Sequence, residues 1–493
     1  MVNRKDSKME KILYIGAECM PFAATGGLGD VMGSLPAALK ATKGDDVDVR
    51  VVMPLYSAVS DEWRAQMKTE AIFDVTLGWR SVYCGVLSLE RDGVTYYFID
   101  NEYYFKRDNL YGHFDDGERY AYFSMATVQM LGHLGYFPDV IHANDWQSAL
   151  SIVYLRVIFK NSPGYDKIKT VFTIHNIEYQ GKYSMEILNS VFGLPWTEAA
   201  LMEFNGGMNL MKAAIMCADQ VTTVSPRYAE EIQTEEYAHG LENILKMNSY
   251  KLTGILNGID YTYNDPHTDK DIVKKYMWRS VKNKSANKTA LQKELGLPES
   301  DAPMFAIVSR LVSHKGVDLV TAIAYTMMSM NDAQLVVLGT GDEQFENYFR
   351  WLESQFPEKV RALITYDRKL SKRIYAAADF FIMPSKSEPC GLSQMIASRY
   401  GTVPITRETG GLYDSIKGYW VDKGELKGNG FTFANYSGIE LYDRIVAAMN
   451  LYNNADMMRK FRQKIMQIDF SWKVSAEAYV ELYNNITEPQ KKN

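Results

Sequence analysis

The chain has 493 residues, 46% hydrophobic and 23% charged, with 54 basic against 60 acidic side chains and a formal net charge of -6. That length is too great for one core and suits two domains of roughly 200 to 250 residues. The acidic balance excludes a general nucleic-acid binder, so any phosphate recognition must be local.

The first ten residues are polar, and the apolar run Ile12–Ile15 after them is too short for a secretory or membrane segment. The four cysteines, Cys19, Cys84, Cys217 and Cys390, form no CxxC pair, and the seven histidines show no HExxH spacing. These features predict a cytoplasmic protein without a disulfide framework, without a membrane partner and without a metal site.

Short apolar runs, each followed by a turn and a helix-period segment, predict buried strands at Lys11–Ala17, Asp46–Met53, Asp139–Ala143, Lys169–His175 and Gln220–Ser225. A second series follows at Met304–Arg310, Gln334–Gly339, Phe380–Pro384 and Val403–Arg407. Alternating strands and helices imply parallel pairing, hence two doubly wound α/β domains. The polar stretch Tyr261–Asn287 between the series reads as a hinge and an arm. We therefore expect domains at 1–262 and 263–475, and a C-terminal segment at 476–493.

Thr-Gly-Gly-Leu occurs twice, at Thr25–Leu28 and Thr409–Leu412, each copy followed after one residue by an acid, Asp30 or Asp414. Glycines opening a helix leave amides and the positive dipole end accessible to an anion, so Thr25, Gly26, Gly27, Thr409, Gly410 and Gly411 are candidate ligand-binding residues. An ordinary tight turn would look the same at either copy alone.

Ligands of doubly wound sheets bind beyond the carboxyl ends of strands, and the polar clusters fall there. Arg310 and Lys315 flank one strand-to-helix loop, spaced so that a guanidinium fork and an ammonium can converge on a diphosphate. Glu388 precedes a helix start at Cys390, Gly391 and Leu392, suited to a ligand hydroxyl or to simple capping. His175 ends one strand and reads as a ligand contact or a packed core histidine. Asp145 follows another and reads as a site residue or the cap of the helix at Trp146. Cys390 has no neighbouring histidine and does not read as a nucleophile. Gly339-Thr340-Gly341-Asp342 falls short of a dinucleotide fingerprint, and no GxxxxGK[ST] loop is present. A diphosphate leaving group held by amides and two cations, beside carboxylates that grip hydroxyls, describes a nucleotide-sugar enzyme.

Seven motifs, in order, resemble bacterial glycogen synthases and plant starch synthases. They are Phe22–Pro36, His142–Gln147, Thr173–Tyr183, Leu256–Asp260, Val308–Leu319, Ser385–Gln394 and Gly401–Leu412. The resemblance covers about residues 10 to 485. It implies a GT-B fold and retaining transfer of glucose from ADP-glucose to the non-reducing 4-hydroxyl of an α-1,4-glucan such as glycogen, with no cofactor and no covalent nucleophile.

By resemblance Arg310 and Lys315 hold the diphosphate and Glu388 a sugar hydroxyl, while Cys390, Gly391 and Leu392 shape the loop around glucose and phosphate. His175 contacts glucose and Asp145 orients donor or acceptor. Tyr366 stacks on adenine, and Asn209 lies near the sugar. The segment Phe470–Tyr483 resembles a helix returning to the N-terminal domain. The aromatic-rich stretch Tyr96–Tyr122 is expected mainly in the core, with stacking on sugar as the other use.

The resemblance departs at Ala24, where the family carries a lysine that reaches the donor phosphates. Compensation by another cation, an altered donor preference such as UDP-glucose, and a catalytically weakened glucan-binding homologue all follow as readings. The sequence assigns no oligomeric state.

Overall fold

A computed structural model of the chain describes residues 10–487. The chain divides into two compact units. Unit 1 comprises the chain up to Val224, Ala229–Ile255 and the segment from Trp472; unit 2 comprises Ser225–Tyr228 and Leu256–Ser471.

Unit 1 is built on a nine-stranded sheet of β1 (Glu10–Ile15), β2 (Val47–Pro54), β3 (Lys68–Leu77), β4 (Arg80–Arg91), β5 (Val94–Asp100), β6 (Val140–Asn144), β7 (Lys169–Ile174), β8 (Gln220–Thr223) and β9 (Leu252–Gly254). Their order is β9-β8-β7-β6-β1-β2-β5-β4-β3. Central β1 pairs in parallel with β2 and β6, with Ile12 opposite Val49 and Val140. Ile12, Leu13, Tyr14 and Ile15 are all buried, as a strand covered on both faces requires.

The edge departs from the parallel pairing expected of the series, since β4 runs antiparallel to both β3 and β5. Strand β3 alternates, burying Phe73, Val75 and Leu77 while Asp74 and Thr76 stay exposed, which marks a strand with one wet face.

Helix α1 (Gly27–Lys43) buries Leu28, Val31, Met32, Leu35 and Leu39, spaced three or four apart along one face. The aromatic-rich stretch is largely core, with Tyr96, Tyr104, Tyr120 and Tyr122 all buried, whereas Tyr103 and Phe114 are exposed.

Unit 2 holds six parallel strands, β10 (Met304–Val308), β11 (Gln334–Leu338), β12 (Val360–Leu363), β13 (Phe380–Met383), β14 (Val403–Arg407) and β15 (Phe431–Phe433), in the order β12-β11-β10-β13-β14-β15. Alternate residues feed two cores. Phe305, Ile307, Leu335, Val337, Phe380 and Ile382 enter one. Met304, Ala306, Val336, Leu338, Phe381 and Met383 enter the other. Each large apolar side chain so buried stabilises the unit by about 1.5–3 kcal/mol before entropy is counted.

The stretch Tyr261–Asn287 lies wholly in unit 2 and is packed rather than hinge-like. The buried Tyr276 hydroxyl donates to Tyr400 O at 2.8 Å. Buried Lys284 donates from Nζ to Tyr375 O, Ala376 O and Thr402 Oγ1 at 2.8, 2.9 and 2.7 Å. Burial drives its pKa well below the ordinary lysine value. A segment held by tyrosine and lysine carries no apolar period, so its burial left no pattern in the sequence. The change of unit falls at Ile255/Leu256 and the return at Ser471/Trp472, a few residues from the expected 262/263 and 475/476.

Candidate active site

In unit 1 the candidates gather at the ends of β1, β6 and β7. Asp145 follows β6 directly and precedes helix α2 (Trp146–Val157). It stands at the cap position, but its side chain makes no cap hydrogen bond. Instead Oδ1 accepts from His175 N at 2.8 Å and, more weakly, from Asn176 N at 3.4 Å. Its backbone sits at φ 57°, ψ 178°, a region nearly reserved for glycine that costs about 1–3 kcal/mol. That strain is held by the surrounding bonds, among them Asp145 N to Thr173 O at 3.0 Å. Burial pushes the Asp145 carboxyl up to about 7, against the two amide bonds that favour its charge and with Glu18 adding a smaller push.

His175 Nε2 lies 2.9 Å from Asn144 Oδ1, and burial lowers its pKa to about 3, so the ring is neutral at physiological pH. Asn209 caps helix α3 (Leu210–Cys217) by accepting from Lys212 N at 3.0 Å, and its Nδ2 donates to Gln180 Oε1 at 2.7 Å. Gln180 in turn donates to Ile177 O at 3.0 Å, which ties Asn209 to the loop after His175.

The first Thr-Gly-Gly segment is already occupied by an anion of the protein itself. Glu18 accepts from Thr25 N at 2.7 Å, Thr25 Oγ1 at 2.7 Å and Gly26 N at 3.1 Å. Beside it stands Ala24: a Cβ on Gly29 would lie 2.2 Å from Ala24 Cβ and 3.2 Å from Glu18 Oε2. The charged group brought next to Ala24 is thus an acid.

In unit 2 the candidates follow β10, β12, β13 and β14. Lys315 Nζ lies 2.6 Å from Glu388 Oε2, and Ser385 Oγ donates to the same oxygen at 3.1 Å. Glu388 is 7% exposed, so this is a desolvated, charge-assisted pair, and Oε1 has no protein partner among the described residues. Arg310 is exposed at the end of β10, with Nη2 3.4 Å from His314 Nε2. Tyr366 stands apart, 77% exposed, its hydroxyl accepting from Arg368 Nε at 2.8 Å. It precedes helix α4 (Arg368–Ala377), which Asp367 caps.

Buried Cys390 is kept a thiol, since burial pushes its pKa up to about 12. Gln394 fixes the loop by donating to Cys390 O and Gly391 O at 3.1 and 2.8 Å. Leu392 then opens helix α5 (Ser393–Arg399) by accepting from Ile396 N at 2.9 Å. The second Thr-Gly-Gly packs on this loop: Gly411 N donates to Glu388 O and Pro389 O, both at 3.1 Å, at the start of helix α6 (Gly410–Ser415).

Sequence reading missed Glu18, Asn144 and Ser385. All three lie just at or beyond strand ends, so the rule that found Arg310 and Glu388 would have reached them. Among the described residues no three His, Cys, Asp or Glu side chains gather as a metal site, and no helix is long and apolar enough to cross a membrane.

The starch synthase catalytic domain model matches residues 11–247, and the glycosyl transferases group 1 model matches 287–465. Glycogen synthases of Ligilactobacillus salivarius (strain UCC118) and Clostridioides difficile (strain 630) are 47% and 46% identical over 97% of this chain and 100% of each relative. The catalytic domain of starch synthase IV from Arabidopsis thaliana, solved with ADP and acarbose, matches with TM-score 0.88 and 35% identity over 98% of this chain and 100% of that one. Sucrose-phosphate synthase from Thermosynechococcus elongatus, at 19% identity over 97% and 99% of the two chains and TM-score 0.59, shares the fold.

Two Rossmann-like units built on largely parallel sheets, together with the starch synthase and group 1 glycosyl transferase matches, make this a GT-B glycosyltransferase. The chain belongs to the glycogen and starch synthase family, and its enzymatic class is glucan synthesis.

Proposed function

We propose that the enzyme transfers glucose from ADP-glucose to the non-reducing 4-hydroxyl of an α-1,4-glucan, with retention at the anomeric carbon. The observation that carries this reading is the Lys315–Glu388 pair at 2.6 Å, which places a cation and a carboxylate with one open oxygen side by side at the end of β10 and β13. Lys315 and Arg310 take the negative charge that builds on the departing diphosphate, an electrostatic role usually worth several kcal/mol in a desolvated site. Glu388 Oε1 accepts a hydroxyl of the transferred sugar. The exposed ring of Tyr366 offers a stacking face for a base, and the ADP in the Arabidopsis relative supports adenine.

In unit 1, His175 meets the sugar and Asp145 orients donor or acceptor, with Asn209 supporting the loop between them. Unit 1 is the acceptor side and unit 2 the donor side of the reaction. Thr25, Gly26 and Gly27 are the turn near the donor phosphates, and Thr409, Gly410, Gly411, Cys390, Gly391 and Leu392 frame glucose and phosphate. The leaving phosphate accepts the acceptor's proton, so no protein nucleophile is required. Two fixed cations supply the charge that a metal would otherwise bring, so no cofactor is proposed. We place the protein in the cytoplasm, on its four cysteines, which remain free thiols as in a reducing compartment.

The test is a panel of nucleotide sugars with a glucan primer, read as nucleotide release and polymer growth, with Glu388→Ala as the control. Growth with ADP-glucose and a loss of about 10³-fold or more in the control are expected. Turnover of UDP-glucose alone would overturn the donor assignment, and glucan binding without turnover of any donor would favour a binding homologue.

A further inference from the structure

Buried Asn144, the last residue of β6, is held so firmly that the two ends of its amide can be told apart. Its Nδ2 donates to Ile15 O and to His142 O, both at 3.1 Å. Both are backbone carbonyls, which only accept, so the nitrogen of the amide must face them and the oxygen must face away. The backbone is fixed as well: Asn144 N donates to Ser148 Oγ at 2.6 Å, and that hydroxyl donates back to Asn144 O at 2.7 Å. Asn144 Oδ1 is then the atom 2.9 Å from His175 Nε2.

An amide oxygen has no proton to give. The contact is a hydrogen bond only if Nε2 carries the proton; the other tautomer would set two lone pairs against each other. The ring is neutral, as burial of His175 dictates. It therefore holds one proton, and if Nε2 has it, Nδ1 is a bare lone pair. Nδ1 has no protein partner among the described residues.

We infer that Asn144 is a positioning residue for the transfer reaction: it fixes His175 in the Nε2–H tautomer and so makes Nδ1 the ring's acceptor for a hydroxyl of the transferred sugar. The inference rests on the reading that His175 meets that sugar. A hydroxyl offers one proton and two lone pairs, and a ring that accepts the proton decides which way the lone pairs turn. A ring presenting N–H at the same place would turn the hydroxyl round and would equally welcome an ether or carbonyl oxygen. Asn144 thus sets the kind of group the histidine recognises, from a position behind it. The histidine of β6 itself, His142, is engaged through both nitrogens, with Tyr483 OH at 2.7 Å and Thr173 Oγ1 at 2.5 Å, and is not available for the role.

The experiment is a long-range proton–nitrogen correlation spectrum of the full chain labelled with 15N-histidine, with the His175 signals assigned from a His175→Gln sample. It needs no donor, so it reads the tautomer even if ADP-glucose proves the wrong substrate. His175 should show a protonated Nε2 and an unprotonated Nδ1; the opposite pattern, or an even mixture, would overturn the inference.

Asn144→Leu removes the acceptor and should release the tautomer preference while lowering kcat/KM by about 10- to 100-fold, the scale of one unmade buried hydrogen bond. Asn144→Asp keeps an acceptor opposite Nε2 and should retain the Nε2–H signal that the leucine variant loses, although its second oxygen then faces the carbonyls of Ile15 and His142 and lowers activity as well. Loss of the Nε2–H signal in both variants would reduce Asn144 to a packing role and overturn the inference. If the leucine variant fails to fold, the wild-type spectrum and the aspartate variant still decide it.

Discussion

At Thr25–Leu28 a Cβ built on Gly26 or Gly27 meets nothing within 4 Å, whereas at Thr409–Leu412 a Cβ on Gly410 would lie 2.0 Å from Glu388 O and one on Gly411 2.1 Å from Cys390 O. Four identical residues thus answer two different physical demands. In unit 2 the glycines are needed for the fold, because two backbones touch where Glu388 is held. In unit 1 they leave space, and the amides of Thr25 and Gly26 are met by Glu18. The electrostatics diverge too. The unit 1 strand ends carry two acids, Asp145 bonded to the backbone of a neutral histidine and Glu18 acting on Asp145, while the unit 2 ends carry Arg310 and a Lys315–Glu388 pair. A motif match identifies a turn; only its surroundings say whether the turn binds, packs or spaces.

The contrast is broken most directly by Gly411→Ala against Gly26→Ala. The first forces a side chain into a backbone oxygen and should cost about 3 kcal/mol of unit 2 stability together with most of the activity. The second should stay within about 0.5 kcal/mol of the parent by denaturant unfolding. Equal destabilisation of the two variants would abolish the distinction.

Asp145→Asn sharpens the account of unit 1. The folded carboxyl titrates near 7, above its unfolded value near 4. The fold therefore binds the proton more tightly, and that contribution is whole below about pH 4 and lost as pH rises through 7. An amide escapes the loss. The variant should gain roughly 1–3 kcal/mol over the parent at pH 8 and almost nothing at pH 4, while transfer falls by about 10²-fold. A gain independent of pH would show that relief of backbone strain, not burial of charge, is responsible.

Ala24→Lys is the gentlest probe. The new ammonium would stand beside Glu18 and make the first turn less acidic, and the KM for ADP-glucose should fall about threefold to tenfold. An unchanged KM would show that the phosphate contact is already filled by another group.

Much of this was legible in the chain itself. Continuous apolar runs such as Ile12–Ile15 and Phe380–Met383 read as strands covered on both faces, and the polar residues just beyond them mark the candidate site because the carboxyl ends of such strands are where backbone geometry leaves room for ligands. Seven ordered motifs fixed the family. Tertiary structure alone decided what no local pattern encodes. It buried Tyr276 and Lys284 in what reads as a hinge, because their hydrogen-bond partners lie about 100 residues away in the chain. It turned the Asp145 carboxylate from its own helix to His175, 30 residues on. It set Glu18 into the turn that glycines had marked for a ligand, and it aimed the oxygen of Asn144 at a histidine on the neighbouring strand. Strand formation follows from the order of side chains along the chain, but the partner of a polar atom is chosen by distance in space, which the order alone does not give.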